Sequence, residues 1–532
     1  MPGTWSVETM TSLRLAAGAM AALLAVGGCG KRASEVAPAQ AAKAHGIDWY
    51  AGSVDQAFAE AASRNLPIFL YWGAEWCPPC HEIKATVFRS REFIERSRLF
   101  IPVYLDGDAE NAQAIGERFG VRGYPTMVVF SPAGEEITRI PGGIDIQAYA
   151  NVLDLAIGTM KPVPALLGRV LDEDAALDPA ECRLMAYYSW EQNPALLEGR
   201  DQADVFERLA AACPQELELE RTKLRLAGIH AAIAPPPGSS EPAELAPEFR
   251  REALETVRAM LDDEALVRAN LYSVLIAGAR ITSAVTDAGS PERAELESKF
   301  ATWIDRLGKD ESLFRSERLY ALLGKMRFER IGDAEAPLSA GLREEIRRTV
   351  AEADAATTDP YERQSVINVA SAILDMAGMK EEAKTMLLAE LERSKQPYYF
   401  MTGLADIEQQ AGNHEAAIGW LARGYDEARG PATRFQWGTY YIVGLLEMTP
   451  EDEERIAAET VRVVGELGAT RAFHQRPKAQ LARLQKRLEE WNEGGAHAKA
   501  IGRIRQGAMA ICAGIPADDS ARTTCESFLA PA

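Results

Sequence analysis

The chain has 532 residues, of which 47% are hydrophobic and 26% are charged, and its formal net charge is −20. This composition is typical of a soluble globular protein with several domains, not of a disordered or polytopic membrane protein. No basic excess exists to neutralise phosphates, so the charge argues against nucleic acid and against an anionic membrane surface as partners.

The first thirty residues have the pattern of an export signal. An apolar run over residues 15–28 is as long as a signal-peptide core and is short for a bilayer span. Residues 26–29 (Val-Gly-Gly-Cys) resemble a bacterial lipobox, in which Cys29 is lipidated and becomes the mature N-terminus. An ordinary secretory signal with an incidental cysteine is the alternative. We therefore predict a signal peptide over 1–29, a flexible tether over 30–46 and a periplasmic location, lipid-anchored or, without lipidation, exported and soluble.

The seven cysteines divide by their spacing. Apart from Cys29, six remain, and Cys77 and Cys80 form a C-x-x-C pair. An oxidising compartment favours structural disulfides between the other four, although buried free thiols are the alternative. These four form two sequence-local pairs, Cys182 with Cys213 and Cys512 with Cys525.

A succession of short elements surrounds the C-x-x-C pair. The spacing of apolar residues predicts a helix over 54–64, and continuous apolar runs predict buried strands. In chain order, we predict strand 66–72, a helix after Cys80, strand 99–105, helix 110–119, strands 127–130 and 136–140, and helix 145–157.

The residues around the Cys77–Cys80 pair make the interpretation of this motif specific. Trp76 precedes it, a strand leads in, a helix leads out, and Tyr124-Pro125-Thr126 stands before a later strand. Residues 47–160 thereby resemble the thioredoxin superfamily, which implies an α/β domain with a central mixed sheet flanked by helices. The resemblance also implies a thiol–disulfide oxidoreductase that acts on protein thiols and disulfides. A zinc knuckle would need further ligands, and none is near, so we predict no metal and no cofactor.

The predicted placement suggests a role for each cysteine. Cys77 at a helix N-terminus faces unpaired amides and the positive end of the helix dipole, which stabilise its thiolate. We expect it to be the exposed nucleophile. Cys80, one turn later, is the expected resolving thiol.

The resemblance assigns further site residues. In the family, the proline that matches Pro125 is cis and lies against the cysteine pair, where neighbouring backbone pairs with substrate. Tyr124 and Thr126 are, on the same basis, expected substrate contacts. Trp76 matches a surface tryptophan beside the nucleophile, with a packing aromatic as the alternative.

One position departs from the family pattern. Many thioredoxins have a buried aspartate six residues before the first cysteine, and here that residue is Tyr71. Glu82 could substitute, or lie on a solvated helix face. His81 could raise the thiolate fraction, or be an ordinary surface histidine. The domain is therefore most similar to the specialised type of the C-terminal domain of the thiol:disulfide interchange protein DsbD.

The remainder of the chain has the pattern of an all-α region. We predict a linker over 161–177, a helical segment over 178–233, a proline-rich linker over 234–243 and a helical repeat region over 244–532. Helix starts are predicted where a capping side chain precedes a proline, at Asp178-Pro179, Ser290-Pro291, Asp359-Pro360 and Thr449-Pro450.

One internal repeat is visible in this region. Residues 377–383 (Ala-Gly-Met-Lys-Glu-Glu-Ala) recur 34 positions later as residues 411–417 (Ala-Gly-Asn-His-Glu-Ala-Ala). This period resembles tetratricopeptide repeats, which implies a surface for a peptide or protein ligand. A helical spacer with no ligand is the alternative.

Together these patterns predict an exported thiol–disulfide oxidoreductase, on the reductive or relay side, whose helical region positions partners. An envelope adaptor or assembly scaffold, in which the thioredoxin fold is mainly a binding module, is the main alternative. A peroxide-reducing enzyme is disfavoured because nothing beyond the single pair suggests a peroxidatic cysteine.

Overall fold

The computed structural model describes residues 46–141, 146–235 and 244–530. Cys29, the predicted signal peptide, nearly all of the predicted tether and most of the proline-rich linker lie outside these residues. Within the described part of the chain, no helix is both long and apolar enough to cross a membrane.

A four-stranded mixed sheet forms the centre of the N-terminal domain. Its strands are β1 (Ile68–Gly73), β2 (Ile101–Asp106), β3 (Thr126–Phe130) and β4 (Glu136–Ile140), in the order β2-β1-β3-β4. β1 runs parallel to β2 and antiparallel to β3, and β4 is antiparallel to β3. Because both faces are covered, β1 is buried along its whole length, which explains its continuous apolar sequence.

Helices surround this sheet, and one of them was not predicted. They are α1 (Val54–Arg64), α2 (Pro78–Ala85), α3 (Arg91–Arg96), α4 (Ala112–Arg118) and α5 (Ile146–Thr159). The short α3 begins after Ser90, whose hydroxyl accepts a hydrogen bond from the amide of Phe93. The arrangement confirms the predicted α/β thioredoxin-like fold, and the boundaries that were predicted by number shift by at most two residues.

The two faces of the sheet belong to different cores. Ile68, Leu70 and Val128 pack with α1 in a separate small core. Phe69 and Val129, which alternate with them, belong to a core that continues into the helical region. The thioredoxin-like domain is thus joined to the rest of the chain by packing as well as by sequence.

The remainder of the described chain is helical, as predicted. It comprises α6 (Val163–Glu173), α7 (Pro179–Ala186), α8 (Gln202–Ala212), α9 (Glu218–Ala232), α10 (Pro247–Asp262), α11 (Glu264–Ala269), α12 (Leu271–Leu275), α13 (Gly278–Val285), α14 (Pro291–Leu307) and α15 (Arg315–Glu329). It continues with α16 (Ala340–Ala356), α17 (Pro360–Met376), α18 (Lys380–Arg393), α19 (Tyr398–Gln410), α20 (His414–Glu427), α21 (Pro431–Met448), α22 (Glu453–Gly468), α23 (Gln475–Trp491), α24 (Ala498–Ala513) and α25 (Ser520–Ser527).

The predicted linker over 161–177 is wrong for most of its length, because α6 occupies it. Val163, Leu166, Leu167 and Val170 are buried at helical spacing, and α6 packs against β4 and α8. This packing fixes the first helices of the C-terminal region against the edge of the sheet.

The internal repeat corresponds to two helical hairpins, α17–α18 and α19–α20. Gly378 and Gly412 follow the first helix of each hairpin with φ of 72° and 78°, a conformation in which glycine avoids steric strain. The equivalent alanines, Ala383 and Ala417, are fully buried in the second helices.

Candidate active site

The C-x-x-C loop connects the end of β1 to the start of α2. Cys77 is the N-cap of α2, and Pro78 and Pro79 occupy its first two positions, where a missing N–H costs no helical hydrogen bond. Cys77 and Cys80 form a disulfide, and the amide of Cys80 donates a hydrogen bond to Cys77 Sγ at 3.1 Å. After reduction, the same amide and the helix N-terminus are placed to stabilise a thiolate on Cys77.

The Tyr124–Pro125 peptide bond, which precedes β3, is cis. The Tyr124 ring packs edge-on against Trp76, with centroids 5.5 Å apart, and its hydroxyl accepts a hydrogen bond from Gln113 Nε2 at 3.0 Å. The Thr126 hydroxyl donates to the carbonyl of Gly123 at 2.8 Å. The side chains of Tyr124 and Thr126 therefore build the loop that carries Pro125.

Tyr71 occupies the position of the family's buried aspartate. Its hydroxyl donates a long hydrogen bond to the carbonyl of Cys80, at 3.4 Å, and its ring is fully buried. Burial, and then the charges of Asp106 and Glu75, raise the pKa of Tyr71 well above its ordinary value. Tyr71 is therefore a neutral packing residue at physiological pH and does not act as a proton acceptor for Cys80.

The expected exposure of Cys77 is wrong, and Trp76 is buried, in agreement with the packing alternative for this residue. Cys77 was expected to be an exposed nucleophile, but it is 1% exposed, and Trp76 is 3% exposed. The cause lies outside the thioredoxin-like domain. The Trp437 ring of α21 packs edge-on against Trp76 at 5.5 Å, and the guanidinium of Arg476 lies over the Trp76 ring at 5.1 Å.

His81 and Glu82 also face the helical region instead of solvent. The His81 ring is 4.6 Å from that of Tyr361, and its Nε2 lies 2.7 Å from the carbonyl oxygen of Glu75. Burial, and then the charges of Glu317 and Glu362, raise the pKa of Glu82 to about 7. Helix α2 is consequently packed against α17 on the side that the sequence suggested would be solvated.

Four contact residues were not identified from the sequence. Gln192 Nε2 donates to the carbonyl oxygen of Pro125 at 3.1 Å. Asp108, Glu117 and Trp437 are the others, and all of them contact a distant part of the chain. The one local signal is at α21, which begins at Gly430-Pro431 without the Ser, Thr, Asp or Asn cap that precedes the other prolines at predicted helix starts.

The other two cysteine pairs are disulfide-bonded within the helical region. Cys182 of α7 joins Cys213 at the end of α8, with Cα atoms 5.4 Å apart. Cys512 of α24 joins Cys525 of α25, with Cα atoms 5.6 Å apart. Each bond connects two helices that already pack together, an arrangement typical of a structural crosslink.

Comparison with known proteins agrees with the fold of the N-terminal domain. Residues 54–157 match the thioredoxin-like domain family. Residues 54–157 are a thioredoxin-like domain. The Cys77–Cys80 pair lies at the N-terminus of α2 within this domain.

Individual relatives match this part of the chain at low identity. Thioredoxin of Pyropia yezoensis is 27% identical over 95 residues, which are 18% of this chain and 84% of the relative. Protein disulfide-isomerase tigA of Aspergillus niger is 28% identical over 125 residues, 23% of this chain and 34% of the relative. Thiol:disulfide interchange protein DsbD of Haemophilus influenzae (strain PittEE) is 29% identical over 104 residues, 19% of this chain and 18% of the relative. The chain thus spans about a third or less of the length of the latter two.

Proposed function

We propose that this protein is an exported thiol–disulfide oxidoreductase that exchanges disulfides through Cys77 and Cys80 on the reductive or relay side. The observation that carries the proposal is the Cys77–Cys80 disulfide at the N-terminus of α2 in a thioredoxin-like domain. Cys77 is the nucleophile, Cys80 resolves the mixed disulfide, and the backbone around Pro125 pairs with substrate.

The surroundings of the sulfur atoms support the reductive direction. The helix N-terminus favours a thiolate on Cys77, but Cys77 and Cys80 are almost fully buried among apolar groups such as Trp76 and Trp437. Removal from water disfavours a charged thiolate relative to the neutral disulfide. A stabilised disulfide corresponds to a low reduction potential, and therefore to a reductant once the pair has been reduced.

The helical region is proposed to bind protein partners through its tetratricopeptide-like hairpins. Support comes from the repeated turn at Gly378 and Gly412 and from the tight packing of Ala383 and Ala417. Lipidation of Cys29 would hold the protein on the periplasmic side of the envelope, and the similarity to the interchange protein DsbD is compatible with that location.

The burial of Cys77 favours one alternative, an envelope adaptor in which the thioredoxin fold is a binding module. A trapping experiment separates the two. In Cys80→Ala the resolving thiol is missing, so an oxidoreductase accumulates mixed disulfides between Cys77 and partner proteins in the envelope. Cys77→Ser/Cys80→Ala is the matched control and should trap nothing. If Cys80→Ala traps no more protein than this control, also after the contacts of Asp108 and Glu117 with the helical region have been removed, the oxidoreductase proposal is wrong and the adaptor is favoured.

A further inference from the structure

The redox disulfide is almost fully buried. Cys77 is 1% exposed and Cys80 is 0% exposed. Thiol–disulfide exchange requires an incoming sulfur to reach one of the two disulfide sulfurs, so its rate depends on access. The arrangement described here is therefore closed to a partner protein.

The residues that close it come from separate parts of the helical region. Trp437 of α21 covers Trp76, the residue before Cys77. Tyr361 of α17 covers His81, the residue after Cys80. On a third side, Gln192 donates to the carbonyl of Pro125, in the loop where substrate backbone is expected to pair.

A polar contact anchors this cover to the thioredoxin-like domain. The Asp108 carboxylate accepts hydrogen bonds from the amides of Ala432 and Thr433, at 2.9 and 3.1 Å, and from the Thr433 hydroxyl at 2.6 Å. Burial and the charge of Asp106 raise the pKa of Asp108 to about 6, which leaves it largely ionised at neutral pH. Asp108 thus caps the N-terminus of α21 from another domain, where a negative charge is stabilising.

The sequence of α21 is adapted to this contact. Gly430, its N-cap, has φ of 85°, and a Cβ atom there would lie 2.4 Å from Cγ of Asp108. Only glycine leaves room for the carboxylate. The helix itself provides no capping side chain, because that role belongs to Asp108.

A second polar contact is more exposed. Glu117 of α4 lies 2.7 Å from His474 Nδ1 and 2.9 Å from Lys478 Nζ. Burial opposes ionisation, but the hydrogen bonds from Lys478 and His474 hold the pKa of Glu117 below its usual value. Because the Glu117 and Lys478 side chains are 35% and 52% exposed, water can replace this contact at modest cost.

We propose that the helical region is a removable cover over the Cys77–Cys80 disulfide, and that exchange requires α17, α21, the start of α23 and the segment around Gln192 to separate from the redox loop. This inference rests on the proposed function of the cysteine pair. In the open state a thiolate of a dithiol attacks Cys77 Sγ, the Cys77–Cys80 bond breaks, and Cys80 Sγ leaves with the electron pair and takes a proton. The second thiol of the dithiol, as its thiolate, then attacks the dithiol sulfur that is bonded to Cys77. This step closes the disulfide of the former dithiol and releases Cys77 Sγ, which takes the second proton. Two electrons and two protons have moved from the dithiol to the cysteine pair.

The test measures reduction of the pair in the purified, oxidised full chain by dithiothreitol. Samples are quenched by alkylation, and peptide mass spectrometry follows the three disulfides separately. Asp108→Ala/Glu117→Ala removes both polar contacts and should accelerate reduction of Cys77–Cys80 by at least ~10-fold, because each charged hydrogen bond contributes to the closed state. Asp55→Ala/Glu60→Ala, which removes two exposed carboxylates from α1, is the matched control and should stay within ~2-fold of wild type.

Equal rates of Cys77–Cys80 reduction in the wild type and in Asp108→Ala/Glu117→Ala would overturn the proposal that the helical region is a removable cover. If the double variant unfolds, Cys182–Cys213 and Cys512–Cys525 are reduced faster as well. In that case Asp108→Asn is the variant that tests whether the helical region covers the redox disulfide. This nearly isosteric change weakens the cap and should give a selective increase of ~3-fold, whereas an unchanged rate contradicts the proposal. Failure of the cover and failure of the function remain distinguishable: an open loop that never traps partners refutes the function, and a trapping protein with unchanged rates refutes the cover.

Discussion

The redox loop and the helical region both contain buried disulfides, but the burial has different origins. Cys182 and Cys213 join α7 to the end of α8, two helices of the same region that pack against each other. Cys77 and Cys80 lie at a helix N-terminus, and side chains from α21 and α17 of a different domain pack on their sequence neighbours Trp76 and His81. Burial alone therefore does not separate a structural disulfide from a reactive one. The distinction lies in the charge environment of the first sulfur and in whether its cover can move away.

The largest expected effect separates the two kinds of disulfide by chemistry. Cys77→Ser should lower catalysis of insulin reduction by dithiothreitol at least ~1,000-fold, because a serine hydroxyl does not form a mixed disulfide. The assay is made in the full chain and in the Asp108→Ala/Glu117→Ala background. Cys182→Ala/Cys213→Ala is the control and should retain activity within ~2-fold. Comparable losses in both variants would remove the distinction between the two disulfides.

The free energy of unfolding should depend more on the two structural disulfides than on the Cys77–Cys80 pair. Cys182→Ala/Cys213→Ala should lower the free energy of unfolding by ~3 kcal/mol, because the crosslink closes a loop with a sequence separation of 31. Cys512→Ala/Cys525→Ala, with a separation of 13, should lose somewhat less. Urea unfolding followed by circular dichroism measures both. A larger loss in Cys77→Ser than in either variant would contradict the assignment of roles.

Glu82 should make the cover sensitive to pH. It faces Glu317 and Tyr320 of α15 and Glu362 of α17, and the last of these is paired with Arg315. The pKa of Glu82 is raised to about 7 in the closed state. The closed state therefore binds the proton more tightly than an exposed carboxyl does, so its stabilisation is complete below the ordinary carboxyl pKa of ~4.3, declines as pH rises, and is largely lost once pH passes about 7.

Glu82→Gln keeps this position neutral and removes the effect. The ratio of wild-type to Glu82→Gln reduction rates for Cys77–Cys80 should already exceed 1 at pH 6, and it should rise by on the order of 10-fold between pH 6 and pH 8. Taking the ratio cancels the pH dependence of the reductant. A ratio that stays constant between these pH values contradicts an ionisation of Glu82 coupled to opening.

The smallest effect is expected at Gln192. Gln192→Ala removes one neutral hydrogen bond to the carbonyl of Pro125, worth about 1 kcal/mol, and should accelerate reduction of the redox disulfide ~3- to 5-fold. Gln202→Ala, at the exposed start of α8, is the matched control. Equal rates in the two variants would show that this contact does not hold the loop closed.

The thioredoxin-like fold was predictable because its signals are local. β1, β2 and β3 are mostly apolar runs, and the residues around Cys77 and Pro125 specify the loop and the turn. Asp178, Ser290 and Asp359 cap helices as predicted, whereas α22 begins later than expected because Asp452, not Thr449, is its cap. The linker error was avoidable, since the apolar residues of α6 recur at helical spacing.

The cover was not predictable, because its contacts join positions far apart in the chain. Asp108 and Thr433 are separated by 325 residues, and Glu117 and His474 by 357. No periodicity or motif links such positions. For the same reason Cys77 was expected at the surface, and Trp76 was left open between a surface and a packing position. The domain motif applies to an isolated domain and carries no information about a second domain packed over it.

The most direct test of a reductive thiol–disulfide oxidoreductase is the reduction potential of Cys77–Cys80 in the full chain. Equilibration in glutathione or dithiothreitol buffers, with mass spectrometry to separate this pair from the two structural disulfides, gives the value. A potential near ~−270 mV, as in thioredoxin, is predicted, because the apolar cover favours the disulfide over a thiolate. A potential near ~−120 mV, as in strong oxidants, would contradict the reductive assignment and would mean that the protein introduces disulfides.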